Sequence, residues 1–185
     1  PAEYVRLLQE IDAPTPVAAR GATFNILGSH DTERLRTVLG GSDAKHRLAA
    51  AIQFFSPGVP VIYYGDEYGL EGGKEPASRN AFPLKPTAAK SQLAAYYRSL
   101  AQMRRGLGQG TSFTGSITRA RGLKLTRRDA RGRVIAVLLI NLADNLMQVT
   151  SDCKLISRHE ASLAGSEIRL KPSGFVIYRP ASPIP

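Results

Sequence analysis

Two segments of this 185-residue chain constrain its fold more than anything else in it. Residues 24–34 read Phe-Asn-Ile-Leu-Gly-Ser-His-Asp-Thr-Glu-Arg, and residues 57–69 read Pro-Gly-Val-Pro-Val-Ile-Tyr-Tyr-Gly-Asp-Glu-Tyr-Gly. Each opens on an apolar stretch of strand length and closes on polar and acidic groups: His30 and Asp31 in the first, Asp66 and Glu67 in the second. A segment of helical length lies between them. Acidic groups delivered to the C-terminal ends of successive parallel strands are how a (β/α) barrel assembles an active site.

The flanking pattern agrees. Tyr4, Val5, Leu7, Leu8 and Ile11 recur at helical spacing over residues 2–11, and Pro14 and Pro16 stop that helix. Residues 22–27 form a short buried strand. Ser42-Asp43 caps a helix over about 43–55, with Leu48, Ile52 and Phe55 on one face and Pro57-Gly58 at its end. Residues 59–64 are almost wholly apolar, which predicts a strand buried on both faces. A polar loop follows over about 66–87. A last helix runs over about 88–105 and ends in Arg104-Arg105-Gly106. Past Gly110 the period becomes strand-like. Short runs at 112–118, 122–128, 133–141, 145–150, 153–157, 167–170 and 174–179, punctuated by Gly, Asn and Asp, predict an antiparallel sandwich. The chain therefore divides near 106–111 into a strand–helix part, residues 1–110, and a β-module, residues 111–185. The fold class is α/β plus all-β.

Composition bounds the function. A hydrophobic share of 43% is too high for disorder. No apolar run approaches the roughly 18 residues of a membrane helix, so no membrane partner is expected. The lone Cys153 has no internal partner and suits a reducing cytoplasm. The net charge of +10 raises a nucleic-acid or polyanion reading. Much of that excess falls in 119–133, where Arg119, Arg121, Lys124, Arg127, Arg128, Arg131 and Arg133 face only Asp129. Two solvated strands joined by a turn at Asp129-Ala130-Arg131-Gly132 account for it. No helix-turn-helix, zinc-finger spacing or aromatic-plus-basic strand accompanies the charge, so no nucleic-acid partner is expected. A steep loss of binding with added salt is the behaviour that separates a polyanion binder from a glucan binder. A noncatalytic carbohydrate-binding or interaction module, with the β-module as its working part, is the second alternative.

Three segments in order resemble a known family. Gly28-Ser29-His30-Asp31-Thr32 and Pro57-Gly58-Val59-Pro60-Val61-Ile62-Tyr63-Tyr64-Gly65-Asp66-Glu67 are similar to the last motifs of the α-amylase superfamily. Glu71-Gly72-Gly73-Lys74-Glu75-Pro76-Ala77-Ser78-Arg79 resembles the Gly-Gly-x-Asp-Pro-x-x-Arg loop of its neopullulanase, cyclomaltodextrinase and maltogenic-amylase branch, with Glu75 where Asp is usual. The resemblance covers residues 22–84 closely and 85–179 more loosely. It implies the last strands and helices of a (β/α)8 TIM barrel, from helix 6 to helix 8, followed by a β-sandwich domain C.

It also implies a retaining α-glucan hydrolase that cleaves α-1,4 or α-1,6 glucosidic bonds without a metal or other cofactor. The family uses three carboxylates, after barrel strands 4, 5 and 7, and Asp31 matches the third. By the resemblance Asp31 stabilises the transition state and His30 bonds a sugar hydroxyl at the cleavage subsite. Arg79 and Glu75 line the donor-side sugar subsites. A retaining glycosidase needs a nucleophile and an acid/base carboxylate about 5–5.5 Å apart, and a whole barrel takes roughly 250 residues. Residues 1–23 hold neither of the first two motifs. The chain is therefore expected to be the C-terminal portion of such an enzyme, inactive alone. Its expected partners are a maltooligosaccharide substrate and the N-terminal part of the barrel; apolar strand edges of a cut barrel would also favour self-association.

The remaining groups are expected to be structural. Asp66 and Glu67 hold loop amides at the barrel rim. Arg34 pairs with Glu33 or Asp31 or reaches substrate. One of Tyr63 and Tyr64 is core, by strand alternation, and the other is free to stack on a sugar. His46 and His159 are solvated, and Cys153 is a small core residue.

Overall fold

The computed structural model describes residues 2–12, 14–82, 84–85, 87–107, 112–119 and 121–181, with the side chains of 11, 12, 17 and 18 excepted. Part of the predicted 106–111 boundary and the Ile11 side chain lie outside the described residues. The chain forms two compact units. One comprises Phe24–Phe55 and Val59–Arg105; the other comprises residues 1–23, 56–58 and 106–185.

The first unit is built on two short parallel strands, β1 (Phe24–Ile26) and β2 (Val59–Val61), in register Phe24↔Val59 to Ile26↔Val61. Helix α4 (Asp43–Phe55) connects them and α5 (Ala88–Gly106) follows. The expected cap is present: Ser42 Oγ accepts from Lys45 N at 3.3 Å. Of the apolar face predicted for α4 only Phe55 is buried, while Leu48 and Ile52 are half-buried. Ala50, Ala51, Phe54 and Phe55 are buried, and so are His46 and Gln53. The Gln53 amide donates to Asn25 O at 2.8 Å and Val61 O at 2.9 Å, tying the helix to both strands. Helix α5 buries Leu93, Ala94, Tyr97, Leu100 and Met103 at helical spacing.

Two expectations fail in this unit. The strands are not buried on both faces: Phe24 is 70% exposed, Ile26 55% and Val59 44%. Among the described residues β1 and β2 pair only with each other, so no further strand extends this sheet. His46 is not solvated. It lies wholly buried with Nε2 2.9 Å from the Tyr97 hydroxyl, and burial lowers its imidazole to about 4. Two short helical pieces not anticipated from sequence are α3 (Leu35–Val38) in this unit and α2 (Val17–Arg20) in the other.

The second unit carries α1 (Ala2–Asp12) and six antiparallel strands: β3 (Ser112–Ile117), β4 (Gly122–Arg128), β5 (Val134–Asn141), β6 (Met147–Thr150), β7 (Cys153–Ala164) and β8 (Glu167–Pro180). The order is β3-β4-β5-β8-β6, and β7 also pairs with β8. Strand β8 unites the two runs expected at 167–170 and 174–179. Its first half pairs with β6 and its second with β5, while β7 follows it along both. Ser173 (φ 60°) and, across from it on β7, Glu160 (φ 47°) mark the irregularity between the halves. A Cβ on Gly174 would stand 2.6 Å from Glu160 O, so only glycine fits there. Val137, Leu139, Met147, Ile168, Leu170, Val176 and Tyr178 form one core drawn from β5, β6 and both halves of β8, with Cys153 packed against it. On the opposite face, Val5 and Leu8 of α1 pack over Gly115.

The basic stretch at 119–133 is only partly a solvated face. The turn expected at 129–132 forms, with Asp129 accepting from Arg131 N at 2.9 Å and Arg133 N at 3.0 Å. Arg127, however, is buried, because its position on β4 faces the same side as Leu123 and Leu125. His159, expected to be solvated, is half-buried within β7, its ring 5.8 Å from that of Phe175.

Candidate active site

The four residues singled out from sequence meet at the C-terminal side of β1 and β2. His30 Nε2 lies 3.2 Å from Asp31 Oδ1. Arg79 Nη2 lies 4.0 Å from the same oxygen, and Arg79 Nε lies 3.1 Å from Glu75 Oε1. The groups thus run His30–Asp31–Arg79–Glu75, an alternation of donors and carboxylates. All are open to solvent, Asp31 at 71% and His30 at 55% of their side-chain surface. Such a row offers paired acceptors and donors to vicinal hydroxyls while Arg79 keeps two carboxylates of like sign from repelling each other.

Backbone geometry places each group. After β1, Ser29 Oγ accepts from Asp31 N at 3.2 Å and Thr32 Oγ1 accepts from Ser29 N at 3.1 Å, folding 29–32 into a side-chain-supported turn. The 71–80 loop is anchored at its start, where Arg34 N donates to Gly72 O at 2.9 Å and Gly72 N donates to Thr37 Oγ1 at 2.9 Å. A Cβ at Gly72 would meet Ala77 O at 2.2 Å, so the loop closes only over glycine. A 3-10 turn at Ala77–Arg79 then presents Arg79. The buried Ser78 hydroxyl donates to His30 O at 2.9 Å.

Beneath the row lies a buried charge pair. Arg34 is wholly buried. Its Nη1 stands 3.7 Å from Asp66 Oδ1 and donates to Tyr64 O, and its guanidinium carbon lies 4.1 Å and 4.5 Å from the Tyr63 and Tyr64 ring centroids. Burial pushes the Asp66 carboxyl up to about 6, against the pull of Arg34 and with the push of Glu67. Arg34 therefore pairs with neither Glu33 nor Asp31. The tyrosines do not alternate between core and solvent. They lie past the end of β2, their rings 4.7 Å apart, with Tyr63 OH donating to Ser78 O at 3.4 Å and Tyr64 OH to Asn80 O at 3.0 Å. Glu67 holds a loop amide as expected, accepting from Gly65 N at 2.9 Å. Asp66 serves Arg34 instead.

Ser78 and Gln53 are residues that sequence reasoning left without a role, and Arg34 is one for which it named other partners. An arginine and a glutamine give no periodic signal of burial, and Ser78 sits in a loop where serine is ordinary. A cavity of about 480 Å³ in the same unit, lined by Arg36, Asp43, Tyr68, Glu71, Lys90 and Leu93, is separate from the row: none of His30, Asp31, Glu75 or Arg79 lines it. Among the described residues no group of three His, Cys, Asp or Glu could hold a metal ion. No described helix is long and apolar enough to cross a membrane.

Residues 5–109 match the family model described as "Alpha amylase, catalytic domain". The chain is 29% identical over 190 residues to a cyclomaltodextrinase of Geobacillus thermopakistaniensis (strain MAS1), covering 95% of this chain and 32% of that protein. It is 38% identical over 96 residues to neopullulanase 2 of Thermoactinomyces vulgaris, covering 52% of this chain and 16% of that protein. Among solved structures, the native form of the Nostoc punctiforme debranching enzyme superposes with a TM-score of 0.79 at 26% identity, over 96% of this chain and 40% of that one. The chain spans 32% and 25% of the lengths of two cyclomaltodextrinases it matches. With more than half of its residues inside the matched catalytic-domain segment and the strand-end motifs in their order, the chain belongs to the α-amylase family.

Proposed function

We propose that the protein to which this chain belongs is a retaining α-glucan hydrolase, cleaving α-1,4 or α-1,6 glucosidic bonds of maltooligosaccharides, and that Asp31 is its transition-state-stabilising carboxylate. The observation that carries the reading is the row His30–Asp31–Arg79–Glu75 beyond the ends of two parallel strands. The relatives named cyclomaltodextrinase and neopullulanase support it.

In this reading β1 and β2 are strands 7 and 8 of a (β/α)8 barrel, α5 is the helix that closes it, and the antiparallel unit is its β-sandwich domain C. The exposed apolar residues Phe24, Ile26 and Val59 are covered by barrel strands from the N-terminal part of the protein. The glycosidic bond breaks through an oxocarbenium-like state that gathers positive charge on the sugar ring. The Asp31 carboxylate accepts from sugar hydroxyls that become more acidic as that charge grows, so its grip strengthens in the transition state. His30 donates to a hydroxyl of the same sugar. Arg79 and Glu75 hold hydroxyls one or more sugars away on the donor side. Nucleophilic attack and proton transfer fall to two carboxylates supplied by the N-terminal part. No cofactor takes part. The lone Cys153 fits a reducing cytoplasm.

The test is Asp31→Asn in the intact protein, assayed on maltohexaose and a cyclodextrin. Removing one preorganised electrostatic contact to the transition state lowers kcat by about 10²–10³-fold or more, with melting behaviour unchanged because Asp31 is exposed. Turnover near that of the unaltered protein removes Asp31 from the catalytic set.

A further inference from the structure

The Ser78 hydroxyl makes a direct hydrogen bond between the two loops that carry the candidate site. Ser78 is wholly buried, its Oγ donates to His30 O at 2.9 Å, and its own carbonyl accepts from Tyr63 OH at 3.4 Å. The residues on either side of that bond are the ones that face solvent: His30 and Asp31 at one end, Arg79 at the other. Arg79 reaches Asp31 at 4.0 Å, at the limit of an ion pair, and an exposed long side chain holds such a distance only if its backbone is placed. The bonds Gly72 O to Arg34 N and Gly72 N to Thr37 Oγ1 hold the start of the loop, six residues earlier, and the 77–79 turn itself is also held by Tyr63 OH on Ser78 O and Tyr64 OH on Asn80 O.

We propose that Ser78 is a positioning residue, whose buried hydroxyl on the His30 carbonyl sets the separation of Asp31 from Arg79. The inference rests on the reading that these groups line the substrate site. Without the hydroxyl the His30 carbonyl, part-buried at this bond, loses its side-chain donor and turns toward another partner. That carbonyl belongs to the peptide preceding Asp31, so its rotation moves the carboxylate. Loss of the same bond cuts the turn that presents Arg79 from the loop after β1 and leaves it held from the Tyr63 and Tyr64 side.

A double-mutant cycle in the intact protein tests this, with Ser78→Ala, Arg79→Ala and the pair assayed on maltohexaose. Ser78→Ala should lower kcat/KM about tenfold, the scale of one net hydrogen bond. In the Arg79→Ala background the same change should cost clearly less than in the unaltered protein, because only the Asp31 end of the separation is left to be displaced. Ser78→Cys keeps a weak donor at similar volume and should recover part of the loss; it carries the cycle if Ser78→Ala lowers the melting temperature. Equal losses in both backgrounds, or no loss from Ser78→Ala, overturn the inference and leave the functional reading standing. An intact protein that cleaves no glucan overturns that reading, and the inference with it.

Discussion

Arg34 and Asp66 form an ion pair at 3.7 Å with side-chain exposures of 0% and 4%, and they join the loop after β1 to the loop after β2. Arg34 lies three positions after Asp31, and Asp66 lies five positions after the end of β2. The pair is thus the floor on which both site loops stand. Removing one member of a buried pair leaves the other charge uncompensated, which costs about 3–5 kcal/mol. Arg34→Met should therefore destabilise the protein by roughly that amount, since it also strips the faces of Tyr63 and Tyr64 and the Tyr64 carbonyl of their donor. Equilibrium denaturation by urea measures it, and a loss under about 1 kcal/mol would show that the pair breaks even.

The same region makes stability depend on pH in two opposing ways. Burial lowers His46 to about 4 from its ordinary 6.5, so the unfolded chain binds the proton more readily. The contribution of His46 is present above pH 6.5 and is lost as pH falls toward 4. Burial raises Asp66 to about 6 from 3.8, so the folded chain binds the proton more readily. Its contribution is present below pH 3.8 and is lost as pH rises through 6. Between pH 4 and 6 the two slopes oppose each other. His46→Gln should make stability rise less steeply with pH than in the unaltered protein, and Asp66→Asn should make it rise more steeply. Denaturation series at pH 4, 5, 6 and 7 on the three proteins read the slopes; shifts of the same sign for both variants would refute the assignment.

These two buried groups also show where sequence stops being informative. The helix over 43–55, its Ser42 cap and the strand centres at 24–26 and 59–61 followed from apolar period and capping chemistry, which are local. The site row followed from the quoted motifs, and His30, Asp31, Glu75 and Arg79 do meet. What did not follow is the environment of polar residues between the apolar ones. Whether His46 faces solvent or Tyr97 depends on where α5 lies, and whether Arg34 reaches Asp31 or Asp66 depends on the turn at 29–32. The union of 167–170 and 174–179 into β8 was hidden for a related reason. Lys171-Pro172-Ser173-Gly174 has the composition of a turn, yet it forms the irregular centre of a strand because β7 continues to pair on both sides of it.

Arg79 sits between two carboxylates, and its loss should be read in the substrate's length. If it lines a distal sugar subsite, Arg79→Ala lowers kcat/KM for maltohexaose by about 10–100-fold, the scale of one or two charge-assisted hydrogen bonds. On p-nitrophenyl α-glucoside, which does not extend to that subsite, the change should be smaller by about tenfold. Glu75→Asp keeps the charge beside Arg79 and should stay within about threefold on both substrates, because a carboxylate one methylene shorter still reaches a flexible guanidinium. Equal losses on the two substrates for Arg79→Ala would mean that the residue holds the loop and not the sugar.

The last prediction concerns these 185 residues by themselves. Retaining hydrolysis needs two carboxyl groups about 5–5.5 Å apart across the scissile bond, one as nucleophile and one as acid then base. Asp31 is engaged by His30 and Arg79, and Glu75 is reached from it only through Arg79, which neutralises both. Asp66 is buried against Arg34 at 3.7 Å and cannot meet a sugar. Glu67 is tied to the Gly65 amide. The chain alone should therefore release no product from maltotriose or p-nitrophenyl α-glucoside, while its antiparallel unit, whose strands pair with one another, should show cooperative melting. Adding the N-terminal part of the protein should restore turnover by covering Phe24, Ile26 and Val59 and supplying the two missing carboxylates. Hydrolysis by the chain alone, abolished by Glu75→Gln as well as by Asp31→Asn, would show instead that Asp31 and Glu75 form a catalytic pair and that Arg79 moves aside for substrate.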